Sequence, residues 1–591
     1  MKMQEIIERA QRYVALEQDE VFRAQVRDLL QADNQQELSD RFYTDLEFGT
    51  GGLRGVIGGG FNRMNPFVVQ RASQGLAQYA TRHGERAPDG TLRAVIAHDS
   101  RRYSAEFALQ SALVLAANGI QTYLFRGLRP TPQLSFTVRR LSATIGIVVT
   151  ASHNPPQYNG YKVYWAGGAQ VIPPHDEGII DEVARVSDGI KRISEQQALE
   201  RNMLVYLDAE ADDAYIEMVK RKSVRPEMMA AHGGDVKVVY TPLHGTGAPI
   251  VERVLREVGV EVITVPEQRE PDGEFPTVEF PNPEEAPALE LALKLGRKQR
   301  ADLVMATDPD GDRLGIAVPD GTDFRLLTGN QLGVLLVDYL FSSLKETGTL
   351  PQRPGFVKTI VTTELQRAVA EYYGAEVFDT LTGFKHIAEL IRRWESESGQ
   401  PTFVMGDEES YGYLIGSEVR DKDAFSAVLL TVEMALYHVR QGKSVVERLH
   451  EIYRQFGYYE EITISRYFPG QAGVATMQAL MQQLRDNPPA QIAQIAVLRI
   501  RDVQQGTVTD LTSRSTTAIE DLPRSNVLQF FLEDNTVISA RPSGTEPKIK
   551  FYASSPATVE SSLDEAQRLV RGKLERIEAF INSRIESIGA D

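Results

Sequence analysis

LRAVIAHDSRRYSAEFALQSALVLAANGIQTYLF, residues 92–125, is the stretch on which the fold turns. It opens on a β-rich run, passes through a helical stretch, stops at Gly119 and ends on a second run of strand character. The same plan returns in VKVVYTPLHGTGAPIVERVLREVGVEVITV (236–265) and in FVKTIVTTELQRAVAEYYGAEVFDT (356–380). Gly119, Gly259 and Gly374 stand where each helix should stop, a position that favours left-handed backbone angles. Strand, helix, strand at these lengths is a right-handed crossover unit of a parallel sheet. Spacings above a hundred residues make the three units repeated domains rather than turns of a solenoid.

Each unit is followed by an apolar strand that runs into a polar loop: IGIVVTASHNP (145–155), DLVMATDPDGDR (302–313) and TFVMGDEESYG (402–412). In open α/β sheets ligands bind beyond the carboxyl ends of the strands, so three domains put three candidate loops at equivalent positions. From about Tyr459 the plan is lost. SARPSGTEPKIKFYASS (539–555) reads as strand, loop, strand, and a long terminal helix pattern follows, which predicts a fourth, α+β domain. The fold expected is α/β, with domains at 1–205, 206–323, 324–458 and 459–591: three related α/β domains with mixed, mainly parallel sheets and a C-terminal α+β domain.

Composition narrows the function. A chain of 591 residues, 42% hydrophobic and 25% charged, can bury several cores. FSAVLLTVEMALYHV (425–439) is interrupted by Glu433 and too short to span a bilayer. The N-terminal MKMQEIIERAQRYVALEQDE reads as a charged amphipathic helix without the apolar core and cleavage site of a secretory signal, so a cytoplasmic protein that meets no membrane is expected. The absence of cysteine excludes disulfides, thiolate catalysis and zinc–cysteine sites. A net charge of −17 argues against nucleic-acid binding, although a local cluster of cations can still hold a small anion in a cleft.

The loops carry the chemistry. TASHNPPQYNGYK (150–162) confines a hydroxyl, an imidazole and an ammonium, those of Ser152, His153 and Lys162, to a stiff segment at a strand end. DPDGDR places Asp308, Asp310 and Asp312 at alternate positions, where three carboxylates repel one another unless a hard cation binds them, and oxygen-only ligation suits Mg²⁺. An EF-hand would need Gly and Glu where Arg313 and Pro319 stand; a solvated acidic turn is the plainer alternative. RPSGTEPKIKFY offers Arg541, Ser543, Gly544 and Thr545 in a turn able to aim N–H groups and hydroxyls at one anion, with Lys548 and Lys550 nearby, or else an ordinary hairpin with basic edges. GDEESYGY supplies Glu408, Glu409 and Ser410, and LTGFKHI supplies Lys385 and His386 in a glycine turn. FGTGGLRG sets Arg54 in a glycine run where backbone can approach a ligand closely. Asp99 and Arg101 of HDSRR read as a surface ion pair that needs no function. A nucleophile, a divalent cation, hydroxyl readers and a phosphate cradle together suggest phosphoryl transfer on a phosphorylated polyol. Ser152 would carry the group, Arg313 and His153 would lie close to it, and Lys162 would assist proton transfer.

In this order, FGTGGLRG, TASHNPPQYNGYK, DPDGDR, TGFK, EESYG and RPSGTEP resemble the α-D-phosphohexomutase superfamily, that is, phosphoglucomutases and phosphomannomutases. The resemblance spans nearly the whole chain. It implies four domains around a central cleft and a catalytic phosphoserine at Ser152. It further implies Mg²⁺ on Asp308, Asp310, Asp312 and the serine's phosphate, and a glucose 1,6-bisphosphate intermediate that turns over between two half reactions. Glu408 and Ser410 would then hold sugar hydroxyls and Lys385 would help place the substrate. Arg541, Ser543 and Thr545 would hold the phosphate not being transferred, with Gly544, Lys550 and Arg313 in the same substrate-binding set, while Arg54 and Lys162 would flank the reacting phosphoryl group. Some bacterial members have GExSGH in the sugar loop; EESYGYLIG has no His, which leaves the second proton shuttle unassigned and argues for the longer branch of the family. That branch includes phosphoglucomutases, phosphopentomutases and glucose 1,6-bisphosphate synthases. The expectation is a mutase of hexose phosphates, most of all glucose, acting on small sugar phosphates as a monomer or homodimer. A catalytically silent scaffold and a metal-dependent phosphatase are the rival classes.

Overall fold

The computed structural model describes residues 2–49, 51–468, 470–542 and 548–589. The three repeats build three sheets on one plan. In the first, Arg93–His98 lies between Gln121–Phe125 and Ile145–Val149, parallel to both, and Tyr158–Trp165 folds back antiparallel on Ile145–Val149. In the second, Lys237–Thr241 lies between Glu261–Thr264 and Leu303–Thr307, and Leu314–Asp320 folds back antiparallel on the latter. In the third, Pro354–Thr359 lies between Glu376–Thr380 and Thr402–Glu408, and Gly412–Ile415 folds back. Each candidate loop therefore sits at the same turn, after the strand that closes the crossover.

The reasons are local. Ile145–Val149 and Leu303–Thr307 are buried at every position, which suits apolar runs covered by helices on both faces. Gly119, Gly259 and Gly374 adopt φ of 83°, 88° and 95°, so each ends its helix in the left-handed region that costs other residues strain. The N-terminal segment forms the helix Met3–Leu16, and two more helices follow it before the edge strand Gly52–Val56. That strand runs antiparallel to Tyr158–Trp165, with Gly52 opposite Lys162 and Arg54 opposite Gly160.

The expected divisions at 205/206, 323/324 and 458/459 each fall inside a strand, the last one after Tyr458, the first residue of Tyr458–Tyr467. Leu204–Leu207 pairs with Gln121–Phe125 in the first sheet, and Asp323–Leu327 pairs with Leu314–Asp320 in the second, so each sheet reaches a few residues further than hydrophobic patterning indicated. The C-terminal region is an antiparallel sheet that runs through Tyr458–Tyr467, Lys548–Ala557, Val537–Pro542, Leu528–Leu532, Ile495–Asp502, Thr507–Asp510 and Ser515–Ala518, with the helices Gly470–Asp486 and Leu563–Gly589. One hydrophobic core continues from the second domain through the fourth, whereas the first has a core of its own. No helix among the described residues is long and apolar enough to cross a membrane.

Candidate active site

Ser152 stands in the turn after Ile145–Val149 with φ of 51°, a left-handed backbone that a non-glycine residue keeps only where its surroundings enforce it. Thr150 helps: its Oγ1 accepts the Ser152 N–H at 2.8 Å and donates to Asp99 Oδ2 at 2.6 Å. The result aims the Ser152 hydroxyl across the domain boundary, where it donates to Asp308 Oδ2 at 2.7 Å. His153 Nδ1 lies 3.2 Å from the same hydroxyl oxygen. Burial, then Arg313 and Arg54, push the His153 pKa well below the usual imidazole value, so the ring is neutral at pH 7.

Asp308, Asp310 and Asp312 are buried, and they bring carboxylate oxygens within 4.8 Å of one another. Their backbone follows a tight path: Asp308 Oδ1 accepts the N–H groups of Asp312 at 3.0 Å and Arg313 at 3.1 Å, and Gly311 takes φ of 67°. Burial, then Asp312 and Asp310, push the Asp308 pKa well above the carboxylate range. Burial works the same way on Asp312, but Lys422, Lys162 and Arg313 outweigh it and hold that carboxylate ionised. Asp310 Oδ1 and Asp312 Oδ1 are buried with no hydrogen-bond partner. Orphaned carboxylate oxygens beside a carboxylate driven to take up a proton are what an oxygen-ligated divalent cation would relieve, so the donor set fits a hard metal ion. The alternative of a solvated acidic turn fails on burial.

Cations ring the triad. Lys162 Nζ lies 2.7 Å from Asp310 Oδ2 and 3.5 Å from Asp312 Oδ2, reaching them from its place in Tyr158–Trp165. Burial opposes its charge, but the two aspartates raise its pKa on balance. Arg313 pairs with Glu284 and sends Nε to 3.9 Å from Asp312. Arg54 donates to Asn154 Oδ1 at 3.1 Å beside Ser152.

Two groups were not read as functional from the sequence. Lys422 Nζ lies 3.0 Å from Asp312 Oδ2, and its neighbour Asp421 accepts from Tyr164 Oη at 2.6 Å, so a turn of the third domain closes over the metal loop. In sequence it is one Lys between two Asp, the pattern of a solvated turn. Asp99 and Arg101 are the other case, and here the expectation of a surface pair is overturned: both side chains are 0% exposed, 3.3 Å apart. Arg101 donates to the carbonyls of Ser152 at 2.6 Å, Pro155 at 2.9 Å and Tyr158 at 3.1 Å, and also to that of Asn154. It clamps the loop that carries the hydroxyl.

The third and fourth domains supply the far wall. Glu408 Oε1 accepts the Gly383 N–H at 2.6 Å, which ties the EES loop to the start of the helix Phe384–Ser396, whose first turn carries Lys385 and His386 where a glycine turn was expected. Burial lowers the Lys385 pKa and, with Lys385 and Arg541, takes His386 down to about 4. Ser410 is half-buried in the turn that follows Glu408. Glu408 lies within electrostatic reach of Arg313 and Lys422, which brings the second and third loops to one place. Arg541 faces Lys550 across neighbouring strands and acts on His386 and Glu409. Burial, then Lys548, lower the Lys550 pKa, and Glu284, Glu409 and Arg313 act on the same ammonium. Ser543, Gly544 and Thr545 lie outside the described residues.

Comparisons with known proteins agree in kind. Models of the phosphoglucomutase/phosphomannomutase α/β/α domains I, II and III match residues 45–189, 213–321 and 328–456. A phosphoglucomutase of Staphylococcus saprophyticus is 37% identical over 533 residues, covering 90% of this chain and 94% of its own. Among solved structures, a phosphoglucomutase/phosphomannomutase family protein of Burkholderia thailandensis superposes with a TM-score of 0.63 at 18% identity, over 92% of this chain and 98% of the other. The open form of parafusin, a phosphoglucomutase of Paramecium, gives 0.64 at 16% identity, over 92% and 96%.

Proposed function

The chain belongs to the phosphoglucomutase/phosphomannomutase family, and from that premise we propose that it interconverts hexose 1-phosphate and hexose 6-phosphate, glucose above all, through Ser152 and a sugar 1,6-bisphosphate. The observation that carries this reading is the 2.7 Å hydrogen bond from Ser152 Oγ to Asp308, which joins a hydroxyl of one domain to the carboxylate triad of another.

The resting enzyme would carry a phosphoryl group on Ser152 Oγ. Asp308, Asp310 and Asp312 would hold Mg²⁺, which when bound neutralises charge on the transferring group. Arg54 and His153 flank Ser152, and Lys162 approaches Asp310 and Asp312 from the same sheet. A loose transition state asks for positioning more than for a strong base. Glu408, Ser410 and Lys385 would orient the sugar, and Arg541, Lys550 and the Ser543–Gly544–Thr545 turn would hold the phosphate already attached. A sugar hydroxyl then takes the phosphoryl group from Ser152: the bond from Ser152 Oγ to phosphorus breaks as the sugar O–P bond forms, the sugar's proton passes to a neighbouring base, and Ser152 Oγ takes up a proton in its place. After the bisphosphate turns over, the other phosphoryl group returns to Ser152 and the proton goes back to the oxygen it leaves. Lys422 adds a further cation beside the triad, 3.0 Å from Asp312 and within electrostatic reach of Glu408.

The test is a panel of glucose, mannose, ribose, deoxyribose and N-acetylglucosamine 1-phosphates with Mg²⁺ and trace glucose 1,6-bisphosphate. Glucose 1-phosphate should have the highest kcat/KM, and Ser152→Ala should abolish turnover and remove one phosphoryl group from the intact mass. A wide margin for ribose 1-phosphate would reject the hexose assignment, and release of free phosphate as the main product would reject a mutase.

A further inference from the structure

Between the short helices Pro266–Arg269 and Ala286–Leu289 the second domain runs irregularly, and a segment of that length without regular structure usually has work to do. Gly273 passes so near the loop after Arg93–His98 that a Cβ there would sit 2.7 Å from the Arg102 nitrogen and 2.8 Å from the Ser100 oxygen. Phe275, 1% exposed with φ of 47°, sets its ring centroid 4.9 Å from the guanidinium carbon of Arg101. Arg101 is the residue whose guanidinium collects the carbonyls of the Ser152 loop.

The other end of the segment touches the metal loop. Glu284 pairs with Arg313, and a Cβ on Gly315 would meet the Pro283 oxygen at 2.5 Å. The middle is anchored to residues 243–246: Thr277 Oγ1 lies 2.9 Å from His244 Nε2 and accepts from Gln268 Nε2 at 3.0 Å, and the Asp272 N–H donates to the His244 carbonyl at 3.1 Å. From there the Thr246 N–H and hydroxyl both donate to the Pro309 carbonyl at 2.9 Å, inside the aspartate loop. A solvent loop would need neither a buried ring under an arginine nor backbone contact at both ends.

We propose that residues 270–284 are a strap that sets the separation of Ser152 Oγ from the aspartate triad. Gly273 and Phe275 are positioning residues that act through Arg101, and Glu284 is one that acts through Arg313. The inference rests on the reading of Ser152 as the phosphoryl carrier. An aromatic face over a desolvated guanidinium holds it without competing for its N–H groups, which leaves Nη1 and Nη2 for the loop carbonyls while Nε faces Asp99. Displacing the strap by a fraction of an ångström would misplace the phosphoryl group while leaving the sugar-binding walls of the third and fourth domains as they are.

The experiment compares full-length wild type, Phe275→Leu, Phe275→Tyr and Gly273→Ala for kcat, KM for glucose 1-phosphate, thermal stability, and single-turnover transfer from phosphorylated Ser152. Phe275→Leu and Gly273→Ala should slow transfer and kcat by about tenfold to a hundredfold, with KM changed less than about twofold. Phe275→Tyr, which keeps the ring, should stay nearer wild type than Phe275→Leu. Lower melting temperatures with wild-type transfer rates in the folded enzyme would overturn the strap, as would KM rising in step with the loss of kcat. A wild type with no transferable phosphoryl group on Ser152 would overturn the reading of the site, and the strap with it.

Discussion

Lys162 and Glu409 show how burial and neighbouring charge decide what a side chain can do. Lys162 keeps its proton because Asp310 and Asp312 repay the desolvation of a buried ammonium. Lys162→Met should therefore leave two carboxylates less compensated and remove a cation beside the transferring group. A loss in kcat of about a hundredfold, with smaller change in KM, is expected in steady-state assays. Glu409 goes the other way: burial, then Glu408, lift it to about 7, although Thr359 Oγ1 donates to it at 3.0 Å. The folded chain thus holds this proton to higher pH than the unfolded chain. The resulting stabilisation is full below the unfolded value and is lost as pH rises through about 7. Glu409→Gln should flatten that decline, so that thermal melts at pH about 5 and about 8 differ less than they do for wild type.

At the scale of the element, the strand-end loops work because buried partners hold them. Asp99 and Arg101 are sequestered together, and Arg101 spends its N–H groups on loop carbonyls. Arg101→Met would leave Asp99 buried without its counter-charge and release the loop, at a cost of about 3–5 kcal/mol in denaturant unfolding, with lost activity alongside. Sequence patterning made the three sheets legible because period, helix length and the stopping glycines repeat at Gly119, Gly259 and Gly374, and it placed all three loops at the ends of the right strands. It missed what Asp99 and Arg101 do because an i, i+2 pair looks the same in a sequence whether water or four carbonyls surround it. The strand Asp323–Leu327 was cut by the expected boundary for a related reason: DFRLL has only one buried position, and pairing with Leu314–Asp320 keeps it in the second domain.

Across the whole molecule, the site exists only where domains meet. Thr131 Oγ1 donates to Asp310 at 2.9 Å, Tyr164 Oη to Asp421 at 2.6 Å and Tyr215 Oη to Asp423 at 2.7 Å, so the first three domains are locked around the triad by buried hydrogen bonds between tyrosine or threonine and aspartate. The fourth meets the third through Gln529, which donates to the Ile360 carbonyl at 2.9 Å, and a cavity of about 570 Å³ lies between them with Glu409 and Tyr552 in its wall. Contacts of this kind are invisible in a single sequence, because Tyr164 and Asp421 are 257 residues apart. Motif order nevertheless pointed to the same convergence. The most direct measurement follows one phosphoryl group: enzyme labelled with ³²P on Ser152 is mixed with unlabelled glucose 1-phosphate and Mg²⁺, and the products are separated after a single turnover. The label should appear in sugar phosphate and bisphosphate at a rate no slower than kcat. Label that stays on the protein, or leaves only as inorganic phosphate, would contradict the account.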